Sequence, residues 1–271
     1  MQSSADAERQ IALAFVTARR AAQAVAAYPG TLPQALPQAY RIQDQAIAAM
    51  GRPIGGWKVG RIAPALAGRY GAERLAGPIF ADTIQHAPPK AAAEGLVFTG
   101  GYAAAEAEFL FQIGSAPAAD QRHFTVDEVA DLVARVHVGI EIASSPFRGI
   151  NDLGPAVTIS DFGNNNGLII GPDVPHWRQG ALFEWPVQTR IDGREAGSGR
   201  GDDIPGGPLS SVRFLLEHLA ARAIAIRPGD WISSGAVTGV HEVRIGERFR
   251  AQFGNELATE CVIGAARPAI R

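Results

Sequence analysis

Two stretches of this chain alternate so strictly that they restrict the fold before anything else is considered. Ala105-Glu106-Ala107-Glu108-Phe109-Leu110-Phe111-Gln112-Ile113 sends Ala107, Phe109, Phe111 and Ile113 to one side of a strand and Glu106 and Glu108 to the other. Val136-His137-Val138-Gly139-Ile140-Glu141-Ile142-Ala143 repeats the arrangement: Val136, Val138, Ile140 and Ile142 share one face, and Glu141 shares the opposite face with His137, Gly139 and Ala143. On pattern alone two readings stay open. The glutamates face water, which is the usual fate of charge on a half-buried strand. Alternatively they lean onto one cation, for which the small neighbours of Glu141 leave space. Same-face carboxylates lie about 6.6 Å apart along a strand, glutamate is depleted in strands, and paired like charges repel without a cation. An all-oxygen ligand set selects magnesium, manganese or calcium over zinc.

The first third reads as helical. A run from Asp6 to Tyr28 ends at Pro29-Gly30, and Leu36, Tyr40, Ile47 and Met50 recur at helical spacing until Gly51 stops them. Ala63 to Leu75 suits a third, short helix. Gly77-Pro78 marks the boundary between a region 1–76 and a strand-rich region 77–271, and the 31 glycines and 18 prolines fit a β component with many turns. Within the second region, Thr125-Val126-Asp127-Glu128 is a capping box that opens a helix to about Arg135. Val157 to Ile159 and Leu168 to Ile170 flank a polar loop as strands, Val187 to Ala196 is a hairpin turning at Asp192-Gly193, and Pro208 to Ala223 is an amphipathic helix. Trp231 to Val237 and Phe249 to Phe253 complete the strands. The fold class is α+β, with helices first and a largely antiparallel or mixed sheet system after.

Composition excludes several functions. A net charge of −2 without a basic block argues against a nucleic-acid partner. The single cysteine, Cys261, precludes an intrachain disulfide, and no apolar run of spanning length or secretory pattern is present. The expectation is a cytoplasmic protein without a membrane association.

Other residues invite chemistry. Lys58, between Trp57 and Val59 in Gly55-Gly56-Trp57-Lys58-Val59-Gly60, is either an ordinary surface lysine or a cation and proton donor beside an anionic substrate. Asp161-Phe162-Gly163-Asn164-Asn165-Asn166-Gly167 is a polar turn or a cradle for a carboxylate, and Ser233 to Gly239 resembles a second cradle. His137 and His241 stand singly and read as structural.

Taken in order, Ala39-Tyr40-Arg41-Ile42-Gln43, Gly56-Trp57-Lys58-Val59-Gly60, Glu106-Ala107-Glu108, Gly139-Ile140-Glu141-Ile142, Gly197-Ser198-Gly199, Pro208-Leu209 and Ser234-Gly235 to Gly239 resemble the fumarylacetoacetate hydrolase superfamily. The nearest branch is that of the 2-oxopent-4-enoate hydratases and 2-oxo-3-hexenedioate decarboxylases. The resemblance runs from about Gln10 to Phe253. It implies a small N-terminal helical cap followed by a distorted β-roll, a Mg2+ or Mn2+ ion held by Glu106, Glu108 and Glu141, and a homo-oligomer. It further implies catalytic roles for Lys58 and Asp161 and substrate contacts from Ser160, Gly235 and Thr238.

The implied activity is that of a lyase of aromatic-compound catabolism acting on a small 2-oxo or 2-hydroxydienoate acid, with hydration of 2-hydroxypenta-2,4-dienoate leading. Decarboxylation of 2-oxo-3-hexenedioate is its rival, because it uses the same enolate but needs a second cation such as Arg61, Arg69 or Arg148 for the distal carboxylate. Acylpyruvate-type C–C hydrolysis ranks lower, since the cap carries no histidine to activate water, and a catalytically silent metal- or ligand-binding member is a further alternative. The sequence departs from the hydratase pattern where an acid normally follows the lysine: here Arg74-Leu75-Ala76-Gly77-Pro78 stands, with Asp82 the nearest acid.

Overall fold

The computed structural model describes residues 4–88, 91–178 and 182–269. The N-terminal helices are α1 (Ser4–Ala21), α2 (Leu36–Met50) and α3 (Pro64–Tyr70). Around them run β1 (Ile54–Arg61), β2 (Arg74–Phe80), β3 (Ile84–His86), β4 (Ala93–Val97) and β5 (Tyr102–Ile113). Then come α4 (Val126–Leu132), β6 (Val133–Ser145), α5 (Pro155–Ser160), β7 (Asn165–Asp173), β8 (Pro186–Ile191) and β9 (Arg194–Arg200). The chain closes with α6 (Pro208–Ala221), β10 (Trp231–Ser233), β11 (His241–Glu242), β12 (Arg248–Phe253) and β13 (Leu257–Ala265).

The strands form two mixed sheets. The larger runs β2-β1-β10-β5-β6-β7-β3, with β11 added to β5; the smaller runs β4-β13-β12-β8-β9. Between them lies the main core. Phe109, Phe111, Val138 and Ile140 of the large sheet meet Val187, Phe249, Phe253 and Ile263 of the small one. The opposite face of the large sheet is covered as well, because Ile11, Phe15 and Val16 of α1 and Ile42 and Met50 of α2 pack with Tyr102, Ala104 and Ala143. Both faces of β5 and β6 are therefore dry over most of their length, and any charge on them is buried.

The α+β class and the helical N-terminal segment match the sequence reading. Residues 1–76 also supply β1, an interior strand of the large sheet, and the expected boundary falls within β2. α2 spans Leu36–Met50 as expected and ends on Gly51 in the left-handed region (φ 64°), whose N–H donates to the Ile47 carbonyl. α1 stops at Ala21, well before Tyr28: Ala22 turns left-handed (φ 51°) and Val25 bridges to Phe147 instead. α4 has its capping box but ends at Leu132, where the chain goes directly into β6. Val157 to Ile159 is helical, not extended. Pro155 starts α5, and burial of all six residues overrides the strand preference of Val, Thr and Ile. β10 ends at Ser233 rather than Val237, since Gly235 (φ 108°) turns the chain away. The hairpin of β8 and β9 turns at Asp192 (φ 48°) and Gly193 (φ 78°), as that dipeptide requires. No helix among the described residues is long and apolar enough to cross a membrane.

Candidate metal centre

β5 and β6 pair antiparallel so that Glu106 stands opposite Glu141 and Glu108 opposite Gly139. Like charges facing each other across a strand pair are destabilising. Here the face is also dry: Glu106, Glu108 and Glu141 are all buried, and one carboxylate oxygen from each lies within 4.8 Å of the others. The glutamates therefore do not face water. They occupy a polar gap on a face that is apolar on either side, with Tyr102 and Ala104 in one cluster and Leu110 in another. The space beside Glu141 is not left open by Gly139, as the small side chain suggested. A Cβ at Gly139 would meet the Leu110 Cδ1 at 2.2 Å and the Ile169 carbonyl at 2.5 Å, so glycine is there for close packing.

Each carboxylate is aimed by neighbours. Glu108 Oε2 accepts from the hydroxyl of Ser233, the last residue of β10, and from the N–H of Gly235 (2.8 Å), where the chain turns away. Glu141 Oε1 accepts from Asn165 Nδ2 (2.9 Å) and lies 3.4 Å from Lys58 Nζ. The second oxygens, Glu108 Oε1 and Glu141 Oε2, are buried without any partner. Orphan acceptors of that kind are costly unless a cation takes them.

Lys58 enters from β1. Trp57 and Val59 point into the main core, which turns Lys58 to the other face, where it is also buried. Burial pulls the lysine pKa down, but Glu141, Glu106 and Glu108 outweigh that and hold it above its ordinary value. Burial pushes Glu106 up to about 7, against the pull of Lys58 and with the push of Glu141. Glu108 rises well above the usual carboxylate range, through burial and then its two glutamate neighbours. Three carboxylates facing one ammonium carry an excess of two negative charges when ionised, the charge that one divalent cation neutralises. The donor set is all oxygen, which fits magnesium or manganese.

The centre opens into a cavity of about 760 Å³ that Lys58, Glu106, Asn164 and Ser234 help to line, together with the charged groups Arg61, Arg74, Glu73 and Asp203. Asn164 Oδ1 accepts from Lys58 Nζ at 3.4 Å, while its Nδ2 donates to Asn151 at 3.1 Å. The Ser234 hydroxyl is buried and unpartnered.

Of the residues singled out from the sequence, the structure brings together Glu106, Glu108, Glu141, Lys58 and Gly235. Asp161 lies apart from the cavity, fully buried, its oxygens bound to Arg19 and Ser145. Ser160 donates to the Val157 carbonyl and accepts from the Tyr28 hydroxyl. Thr238 meets Thr189 and His241. Neither Ser160 nor Thr238 lines the cavity. Asp82, the nearest acid in sequence to the missing one, is exposed and paired with Arg52. Asn164, Asn165 and Ser233 were not anticipated individually. They fall within the two polar loops noted in the sequence, but which side chain turns inward depends on backbone twist that composition does not encode.

The curled mixed sheet with its helical N-terminal segment has solved counterparts. The 4-oxalocrotonate decarboxylase of Pseudomonas putida G7, complexed with calcium and acetate, superposes with a TM-score of 0.77 over 97% of this chain and 99% of its own, at 19% identity. The same enzyme complexed with magnesium and adipate gives 0.76 over 94% and 97%, also at 19% identity. Fumarylpyruvate hydrolase from Pseudomonas aeruginosa, in complex with Mn2+ and pyruvate, gives 0.55 over 77% and 88% at 18% identity. No family model matches the chain. The chain has the fumarylacetoacetate hydrolase fold, as its motifs implied.

Proposed function

We propose that this protein is a divalent-metal-dependent lyase acting on a small 2-oxo acid, and that its substrate is a six-carbon unsaturated dicarboxylate such as 2-oxo-3-hexenedioate, which it decarboxylates. The observation that carries the reading is the buried triad of Glu106, Glu108 and Glu141 with its two orphan oxygens and its excess negative charge. Hydration of 2-hydroxypenta-2,4-dienoate led on sequence grounds. The cavity wall moves the emphasis, because a dicarboxylate needs a second cationic group and the wall carries Arg61 and Arg74, beside the acids Glu73 and Asp203. Arg148, another candidate for that role, is instead paired with Glu242 at 2.8 Å. Solved structures with this fold include a 4-oxalocrotonate decarboxylase over nearly its whole length, which supports the same choice. Hydrolysis is disfavoured, since no histidine is found among the described residues that line the cavity.

When bound, Mg2+ or Mn2+ held by the three glutamates supplies Lewis acidity toward a substrate carboxylate and 2-oxygen. The remaining work falls to this chain's own groups. Lys58 stays charged among the glutamates and sits beside the cavity, where its ammonium donates to the oxygen that gains negative charge. As the distal C–C bond breaks, its electron pair moves along the conjugated chain to that oxygen, CO2 leaves, and a proton completes the dienol. Asn164 holds Lys58 in place, and the free Ser234 hydroxyl is a donor for the proximal carboxylate. Arg61 and Arg74 dock the distal carboxylate near solvent. Pairing with a cation also resists its loss, so these arginines serve binding more than rate.

NMR-followed turnover of 2-oxo-3-hexenedioate and of 2-hydroxypenta-2,4-dienoate, with Mn2+ and with EDTA, tests this. Metal-dependent formation of 2-hydroxypenta-2,4-dienoate from the dicarboxylate is the expected result. Metal-dependent hydration alone would return the assignment to hydratase, and no metal-dependent product from either would overturn the enzyme reading.

A further inference from the structure

Asn164 and Asn165 aim Lys58 and Glu141, and both belong to a segment that does not hold its own shape. Phe162 (φ 55°), Gly163 (φ 62°) and Asn164 (φ 58°) are left-handed in succession. For a phenylalanine that conformation is a genuine outlier. It persists only where the surroundings over-determine it. Gly77 makes room for the turn, since a Cβ there would meet the Phe162 carbonyl oxygen at 2.1 Å.

One side chain grips both ends of this turn. Arg19, in the last turn of α1, donates from Nε and Nη2 to the two carboxylate oxygens of Asp161 (2.5 and 2.9 Å). Its Nη1 donates to the Asn165 carbonyl (3.0 Å) and to Asn166 Oδ1 (3.2 Å). Its Nη2 also reaches the carbonyls of Ser144 (3.1 Å) and Asp161 (3.3 Å). The guanidinium lies against the rings of Phe98 and Phe162, 5.4 and 5.0 Å from their centroids, and the side chain is 6% exposed.

We propose that Arg19 is a positioning residue for the metal centre. It clamps the left-handed turn so that Asn165 Nδ2 meets Glu141 and Asn164 Oδ1 meets Lys58. The inference rests on the metal reading of the triad. Arginine suits the task because its planar fork of five donors spans Asp161 on one side of the turn and Asn165 and Asn166 on the other. Lysine keeps the charge for Asp161 but offers only a compact point of donors. Arg19 does not line the cavity, so it acts on the metal centre only through the groups that it holds.

The test is Mn2+ binding by calorimetry and by the EPR signal of free Mn2+, on full-length wild type, Arg19→Lys, Asn165→Ala and the double variant. Metal-free thermal denaturation of each runs in parallel. Arg19→Lys is expected to bind Mn2+ about tenfold more weakly, in the range seen when groups supporting metal ligands are removed. Asn165→Ala is expected to lose a similar factor, and the double variant clearly less than the product of the two losses, because Arg19 acts largely through Asn165. Wild-type affinity in Arg19→Lys, a lowered melting temperature without a change in affinity, or losses that multiply in the double variant would each overturn the proposal. If Arg19→Lys does not fold, Asp161→Asn loosens one end of the clamp within the same shape. A severalfold loss of Mn2+ affinity then supports the proposal, and an unchanged affinity overturns it. Failure of the wild type itself to bind Mn2+ would instead overturn the metal reading.

Discussion

Two buried clusters of charge meet at Asn165, whose carbonyl accepts from Arg19 while its amide donates to Glu141. Around Asp161 the cluster is closed. One carboxylate faces one guanidinium, both oxygens are bonded, and the Ser145 hydroxyl adds a further donor at 2.6 Å. Around Glu141 the cluster is open: three carboxylates face one ammonium, and two oxygens have no partner. Equal burial thus accompanies opposite states of completion. A closed pair holds the fold, and an open one is complete only with a cation that the polypeptide does not supply.

The largest expected break comes at the open cluster. Glu141→Gln should lower Mn2+ affinity by more than about 100-fold, since loss of a ligand exceeds the 10–100-fold typical of supporting groups, and should abolish turnover. It should also raise the metal-free melting temperature by relieving like-charge repulsion, which calorimetry will show. Lys58→Met should lower kcat by about 10²–10⁴-fold if the ammonium donates in the reaction, measured by steady-state kinetics at saturating Mn2+. Asp161→Ala should behave in the opposite sense to Glu141→Gln. Stripping the closed pair of one partner should cost about 3–5 kcal/mol of stability, read from urea unfolding.

Smaller effects sharpen the contrast. Glu106 is raised in the folded, metal-free protein from 4.5 to about 7, so the folded state holds a proton that the unfolded chain releases earlier. Its contribution to metal-free stability is therefore present below about pH 4.5 and lost as pH rises through 7. Metal affinity should change in the opposite direction, rising as Glu106 deprotonates, so melting curves at several pH values with and without Mn2+ should diverge above neutrality. Arg61→Ala is expected to raise KM for the dicarboxylate by about tenfold with kcat little changed, while leaving turnover of any monocarboxylate unaltered.

Much of this contrast was legible in the residues. The period-two pattern of 105–113 and 136–143 placed the three glutamates on one type of face, and Lys58 was singled out among its glycines and Trp57. Asp161 was read only as an acid in a polar loop, a turn or a cradle for a carboxylate. Its partner stands far earlier in the chain, on a helix whose end was misplaced, so nothing local marked the pair. Arg61 was legible only as one of several arginines. The fold around the cavity decides that it lines the wall while Arg148 spends its charge on Glu242.

By itself the sequence determined the strand faces, the helix that ends on Gly51, the hairpin at Asp192-Gly193 and the acidic character of one surface of β5 and β6. Those follow from periodicity and local dihedral preference, which act between near neighbours. Only the tertiary structure decided that this surface is dry, that Glu106 faces Glu141 in register, and that Arg19 belongs to Asp161. Burial and long-range pairing depend on which elements are stacked on which, and that information is carried by the whole packed core and by no single segment.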